Sequence, residues 1–168
     1  MRKNFLIISF SWLLVILWMI AIFWLSSMDT NESNGKSMKT INKVIESTVD
    51  TTNKIGITDK HPSTEKKAQV TEKLNIPLRK FMHASVYLVL AILVMNALIV
   101  SGCKYLVSLI LCLIICFGYA CSDEYHQTFV DGRTGQFSDV LIDTGGSVIG
   151  NCLYGIGYLI YKKIKKED

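Results

Sequence analysis

The sequence predicts an all-α integral membrane protein, with four transmembrane helices and one long extracytoplasmic loop in a single domain spanning 1–168. Three observations predict it. Half of the 168 residues are hydrophobic and the mean hydropathy is +0.33, too apolar for an ordinary soluble chain of this length. The apolar residues gather into four runs, about 5–25, 80–100, 105–121 and 139–161. Lysine and arginine are kept almost entirely to the loops and tails between them. Net charge is +4, but no basic stripe interleaved with aromatics tracks a phosphate backbone, which argues against a nucleic acid partner. The five cysteines are an odd count without a CxxC pair and sit in or beside apolar runs, so they read as small buried side chains.

The first run, Phe5 to Leu25, contains no charge and is long enough to cross a hydrocarbon core of roughly 30 Å as a helix. Its length and the lack of an A-x-A exit favour an uncleaved anchor over a signal peptide. Trp24 stands where an interfacial belt residue belongs. From Ser26 to Leu78 the composition turns polar, as in a loop outside the bilayer. Within it Ile41, Val44, Ile45 and Val49 recur at helical spacing. They predict either an amphipathic helix over 36–51 on the membrane surface or a solvated segment with transient helix. Gly56 to Thr64 reads as a turn. Pro77 suits the first turn of a helix, where its missing N–H is harmless, so the second span is expected from Leu78 to about Val100. Arg79, His83 and Tyr87 follow one another on one face of it.

After a short break at 101–104, the third span starts near Tyr105. Its ladder of Ser108, Cys112, Cys116 and Tyr119 continues in phase to Asp123 and His126 if the helix runs that far. In the fourth span Asp139, Asp143, Gly146, Gly150 and Gly157 share one stripe. Gly146 and Gly150 form a GxxxG, which lets two membrane helices approach closely. Packing alone accounts for that motif. Its phase with two aspartates adds that the packing face also carries carboxylates.

Orientation follows from the short flanks. Arg2, Lys3, Lys104, Lys162, Lys163, Lys165 and Lys166 outnumber Arg133 of the 122–138 loop, so both termini are expected in the cytoplasm of a multi-pass cell-membrane protein. The long loop carries lysines too, but its length approaches the limit of about 60 residues beyond which the rule stops applying. Threading four spans in this way brings the start of the second, the end of the third and the start of the fourth to one depth on the outer face. Arg79, His83, Asp123, Glu124, His126, Gln127, Arg133, Asp139 and Asp143 are the candidate binding residues that meet there.

Ionisable groups at the mouths of apolar segments are expensive and default to a functional reading. Three uses remain open. The ion pairs can pin helix ends without a ligand. Arginine forks, histidines and amides can hold a phosphate or carboxylate, and the acidic groups a sugar, an amine or a cation. A membrane-embedded enzyme would use His83 or His126 as general base, with a carboxylate such as Asp123 orienting it. A divalent metal held by Asp and His side chains is a variant of this, but the D-E-x-H spacing matches no zinc signature and no serine or cysteine sits in a recognisable nucleophile turn; neither a metal nor a cofactor is expected.

The same residues resemble the VanZ-like family of small bacterial membrane proteins. The resemblance rests on Ser26 and Ser27 at the exit of the first span; on Arg79, Lys80 and His83; on Tyr119, Ala120, Asp123, Glu124, His126, Gln127, Phe129, Val130, Gly132 and Arg133; and on Asp139, Asp143 and Gly146. It covers nearly all the chain outside the long loop. Met28 replaces a family glutamine, and Asp131 stands where the family has proline before Gly-Arg, although Asp-Gly is itself a good turn pair. The resemblance implies a link, in a Gram-positive bacterium, to resistance against teicoplanin and similar lipid-bearing glycopeptides, or to another modification of the cell envelope. The expected partners are bilayer lipid and a lipid-linked or cell-wall component or lipoglycopeptide. A membrane-embedded enzyme acting on such a substrate is the alternative.

Overall fold

In hydrocarbon every backbone N–H and C=O must find its partner within the protein, and an apolar run meets that demand by becoming a helix. The computed structural model describes residues 2–27, 64–130 and 135–167. Among these the chain forms four helices, α1 Arg2–Ser26, α2 Thr64–Val100, α3 Tyr105–Gln127 and α4 Phe137–Glu167. Among the described residues three segments are long and apolar enough to cross a membrane: Phe5–Ser26, Lys80–Val100 and Tyr105–Gln127. At 31 residues α4 has ample length, but Asp139, Asp143, its glycines, Asn151 and the terminal lysines dilute its apolar character.

Two boundaries differ from expectation. Helix α2 begins at Thr64, well before Leu78, and so contains Pro77 in its interior. The preceding stretch, rich in Glu, Lys, Ala, Gln and Leu, consists of good helix formers, and the ring of Pro77 removes only one ladder hydrogen bond. Helix α3 does run on through the polar residues to Gln127, and the amides of Thr128 and Phe129 close it on the carbonyls of Tyr125 and His126. The proposed helix at 36–51, and the 56–64 turn except for Thr64, lie outside the described residues.

Helix α2 is the centre of the bundle, packed most extensively on α4 and also on α1 and α3, while α1 and α3 scarcely meet. Its Tyr87, Leu90, Ala91, Val94 and Met95 are fully buried, the spacing of one broad core-facing stripe. Helix α1 lies against it through two indoles: Trp18 Nε1 donates to the Val86 carbonyl at 2.9 Å and Trp12 Nε1 to Ser101 Oγ at 3.1 Å. The Tyr119 hydroxyl of α3 donates to the Met19 carbonyl at 2.5 Å.

The glycine stripe works as its spacing predicts at two of three positions. A Cβ on Gly146 would strike the carbonyl of Ala84, and one on Gly150 that of Leu88, so the GxxxG lays α4 directly on the α2 backbone. Gly157 does not continue the seam, because nothing lies within 4 Å of a Cβ built there. It is in phase with the seam, but two crossing helices diverge away from their closest point. Gly155, on another face of α4, makes the next close approach, to the hydroxyl of Tyr105 on α3.

Candidate functional site

The glycine seam sets the geometry of the polar end. Ala84 touches Gly146, so His83 and Asp143, just N-terminal of them on two parallel helices, must meet. His83 Nδ1 lies 4.0 Å from Asp143 Oδ2, an ion pair when the imidazole is protonated. One turn outward, Lys80 Nζ lies 3.6 Å from Asp139 Oδ1. Between these pairs is a recess of about 10 Å³ lined by Lys80, His83, Asp139, Ile142 and Asp143, the room of a single water-sized group. Asp143 is buried, and its Oδ1 has no hydrogen-bond partner among the described residues.

Helix α3 brings the next group. Asp123, Glu124 and Gln127 are buried at its C-terminal end, and the charges of Asp123 and Glu124 act on Asp143 across the α3–α4 interface. Gln127 Nε2 donates to Asp123 Oδ2 at 3.4 Å. Glu124 Oε1 accepts the backbone N–H of Gln136 at 2.7 Å, so this carboxylate ties the connection into α4 to the end of α3. The hydroxyl of Tyr87, one turn in from His83, is fully buried within electrostatic reach of Asp123 and Asp143 and has no hydrogen-bond partner among the described residues.

His83, Asp123, Glu124, Gln127, Asp139 and Asp143 are therefore gathered at one end of the bundle. His126 is there too, but on another face: its ring lies on Phe23 of α1, with centroids 4.2 Å apart, and its Nδ1 is buried without a hydrogen-bond partner among the described residues. Arg79 lies in α2 one turn before His83, but its side chain is outside the described residues, as is Arg133 altogether. Sequence reasoning passed over Lys80 as a site residue, although a lysine three positions before His83 shares its helical face. It also left out Tyr87, which it had placed on that face. Among the described residues no group of three or more His, Cys, Asp and Glu could hold a metal ion.

The arrangement can hold a small polar group among Lys80, His83, Asp139 and Asp143, and it can orient the imidazole of His83 against a buried carboxylate. A family model described as VanZ/LLP1 matches residues 10–161, from the first turns of α1 to near the end of α4. No curated protein and no solved structure matches the chain.

Proposed function

The chain belongs to the VanZ/LLP1 family, and from that premise we propose that its polar end binds the head group of an envelope amphiphile and so lowers susceptibility to teicoplanin-type glycopeptides. In this reading all four helices cross the membrane, both termini are cytoplasmic, and the polar end faces outward. The observation that carries it is the meeting of Lys80–Asp139 and His83–Asp143 at one recess, built by helices whose other faces are apolar. A head group with both a phosphate and an amine or sugar would lie across this mixed lining, with one small polar group entering the recess itself. Helix α4 crosses despite its polar residues because its polar stripe is covered by α2 and α3.

The test is expression of wild type, Asp143→Asn and His83→Gln in a susceptible Gram-positive host, with teicoplanin susceptibility measured at matched protein levels. Both variants are expected to lose most of the protection. Equal protection from all three would remove the site from the function. Labelling of Ser122→Cys and Ser138→Cys, both at exposed positions, with an impermeant maleimide on intact cells checks the orientation. Reaction is expected at both.

One observation favours a second reading, an enzyme acting on a lipid-linked substrate. A histidine facing a buried aspartate beside a space the size of one water is an arrangement suited to general base catalysis. A covalently altered envelope lipid, present with wild type and absent with His83→Gln, would select this reading over binding alone.

A further inference from the structure

The polar residues do not stop at the carboxylates. Along α4 Asp143 is followed at successive turns by Ser147 and Asn151, all buried; along α3 Asp123 is preceded by Cys116, Cys112 and Ser108, also buried. The helices are antiparallel, so these two files face each other. Ser147 lies beside the Cys116 thiol and Asn151 beside the Cys112 thiol, while Cys112 Sγ also points at the Ala91 carbonyl of α2, 3.4 Å away. From Asp143 to Asn151 the file descends about 12 Å of helix axis, deep into an apolar layer. Below it Tyr105 and Tyr158 stack with centroids 5.2 Å apart and close the gap between α3 and α4.

Three buried residues, Asn151 and Ser108 in these files and Tyr87 on α2, carry polar atoms without hydrogen-bond partners among the described residues. Asn151 is 4% exposed and Ser108 and Tyr87 are 0% exposed, yet both side-chain polar atoms of Asn151, Ser108 Oγ and the Tyr87 hydroxyl find no hydrogen-bond partner among the described residues. A primary amide beside a weakly bonding thiol leaves most of its capacity unused. Orphaned polar groups inside a membrane protein are costly, and ordered water is the usual remedy.

We propose that α2, α3 and α4 enclose a blind hydrated shaft, open at the Asp123–Asp143 end and sealed by Tyr105 and Tyr158, through which water reaches Asn151 and the thiols of Cys112 and Cys116. The shaft does not depend on what the polar end binds. Its mouth is lined by carboxylates, so a small monovalent cation is admitted along the same route, whereas lipid is not.

Silver ion, a thiol-reactive cation of suitable size, is the probe. In protein with Cys103→Ala, Cys121→Ala and Cys152→Ala in nanodiscs, silver treatment is followed by unfolding, N-ethylmaleimide labelling and fragmentation mass spectrometry that assigns which of Cys112 and Cys116 is left free. Cys112 and Cys116 are expected to be protected on the order of tenfold or more faster than a control thiol at Ile114→Cys, exposed on the outer surface of the same helix in a background lacking all five native cysteines. In Asn151→Leu, protection of Cys112 is expected to fall while Cys116 keeps its own. Thiols no more reactive than the Ile114→Cys control would overturn the shaft, as would loss of Cys116 protection in Asn151→Leu, which places the opening at the wrong end. If Asn151→Leu does not fold, the comparison with Ile114→Cys decides alone.

Discussion

Helices α1 and α4 stand at opposite extremes of the bundle. The apolar segment Phe5–Ser26 has a mean hydropathy of 2.7 and is only 17% buried by protein, so its leucines, isoleucines and phenylalanines face outward around most of its circumference. Helix α4 is far less apolar, yet Val140, Asp143, Gly146, Ser147, Gly150, Asn151 and Gly155 are buried against α2 and α3. The difference teaches that hydropathy reports contact with lipid, whereas contact with protein in a membrane is made by small and polar residues. A helix diluted with polar residues can still pack closely on α2, the centre of the bundle. The polar site follows from the same cause, because the glycines that admit α2 leave His83 and Asp143 no choice but to face each other.

That contrast breaks most visibly at the seam. In Gly146→Val the new side chain meets the Ala84 backbone, which cannot rotate aside, so the cost is expected to exceed the about 1–3 kcal/mol usual for overpacking. Leu13→Ala on α1, a half-exposed position, is expected to stay within about 0.5 kcal/mol of wild type. Size-exclusion recovery and thermal melting in detergent measure both. Comparable losses from the two substitutions would mean that α4 is no better anchored than α1.

How much of this was legible in the sequence differs by region. The helical runs, the GxxxG and its phase with Asp139 and Asp143 could be read because a 3.6-residue period maps faces without knowledge of partners. The partners themselves could not. His126 is in phase with the α3 ladder, but it stands near the edge of the buried stripe, where its ring meets Phe23 of α1. Glu124 looked like a ligand group, and its bond to the Gln136 amide depends on the path of the connection, which periodicity does not describe. The early start of α2 was hidden by Pro77, whose rule for first turns outweighed a helix-forming stretch before it. Lys80 and Tyr87 were in view, and only the meeting of α2 with α4 made them members of the site.

The attachment of α1 offers a smaller test. It is held by few directed contacts, among them the bonds from Trp18 Nε1 to the Val86 carbonyl and from the Tyr119 hydroxyl to the Met19 carbonyl. Trp18→Phe and Tyr119→Phe each delete a donor while keeping an aromatic ring. Each is expected to cost about 0.6–1 kcal/mol, the usual worth of one hydrogen bond in this setting. Melting should fall for both, and by less than in Gly146→Val. A loss from Trp18→Phe equal to that of the seam substitution would put α1 among the elements that hold the bundle together.

The smallest effect, and the one that sharpens the account of α4 most, is at its last two interior glycines. Phase alone makes Gly157 a seam residue and Gly155 a bystander; contact makes the reverse assignment, since a Cβ at 157 meets nothing within 4 Å and one at 155 meets the Tyr105 hydroxyl. Gly157→Ala is therefore expected to be neutral or to stabilise by up to about 0.5–1 kcal/mol through restricted backbone freedom. Gly155→Ala is expected to destabilise modestly, because the obstacle is the tip of a side chain that can swing away at the expense of its stack on Tyr158. Pairing it with Tyr105→Phe, which removes the hydroxyl in the way, should recover most of the loss. If the alanine at 157 proves the costly one, the two helices run together beyond Gly150 and the seam is longer than the crossing allows.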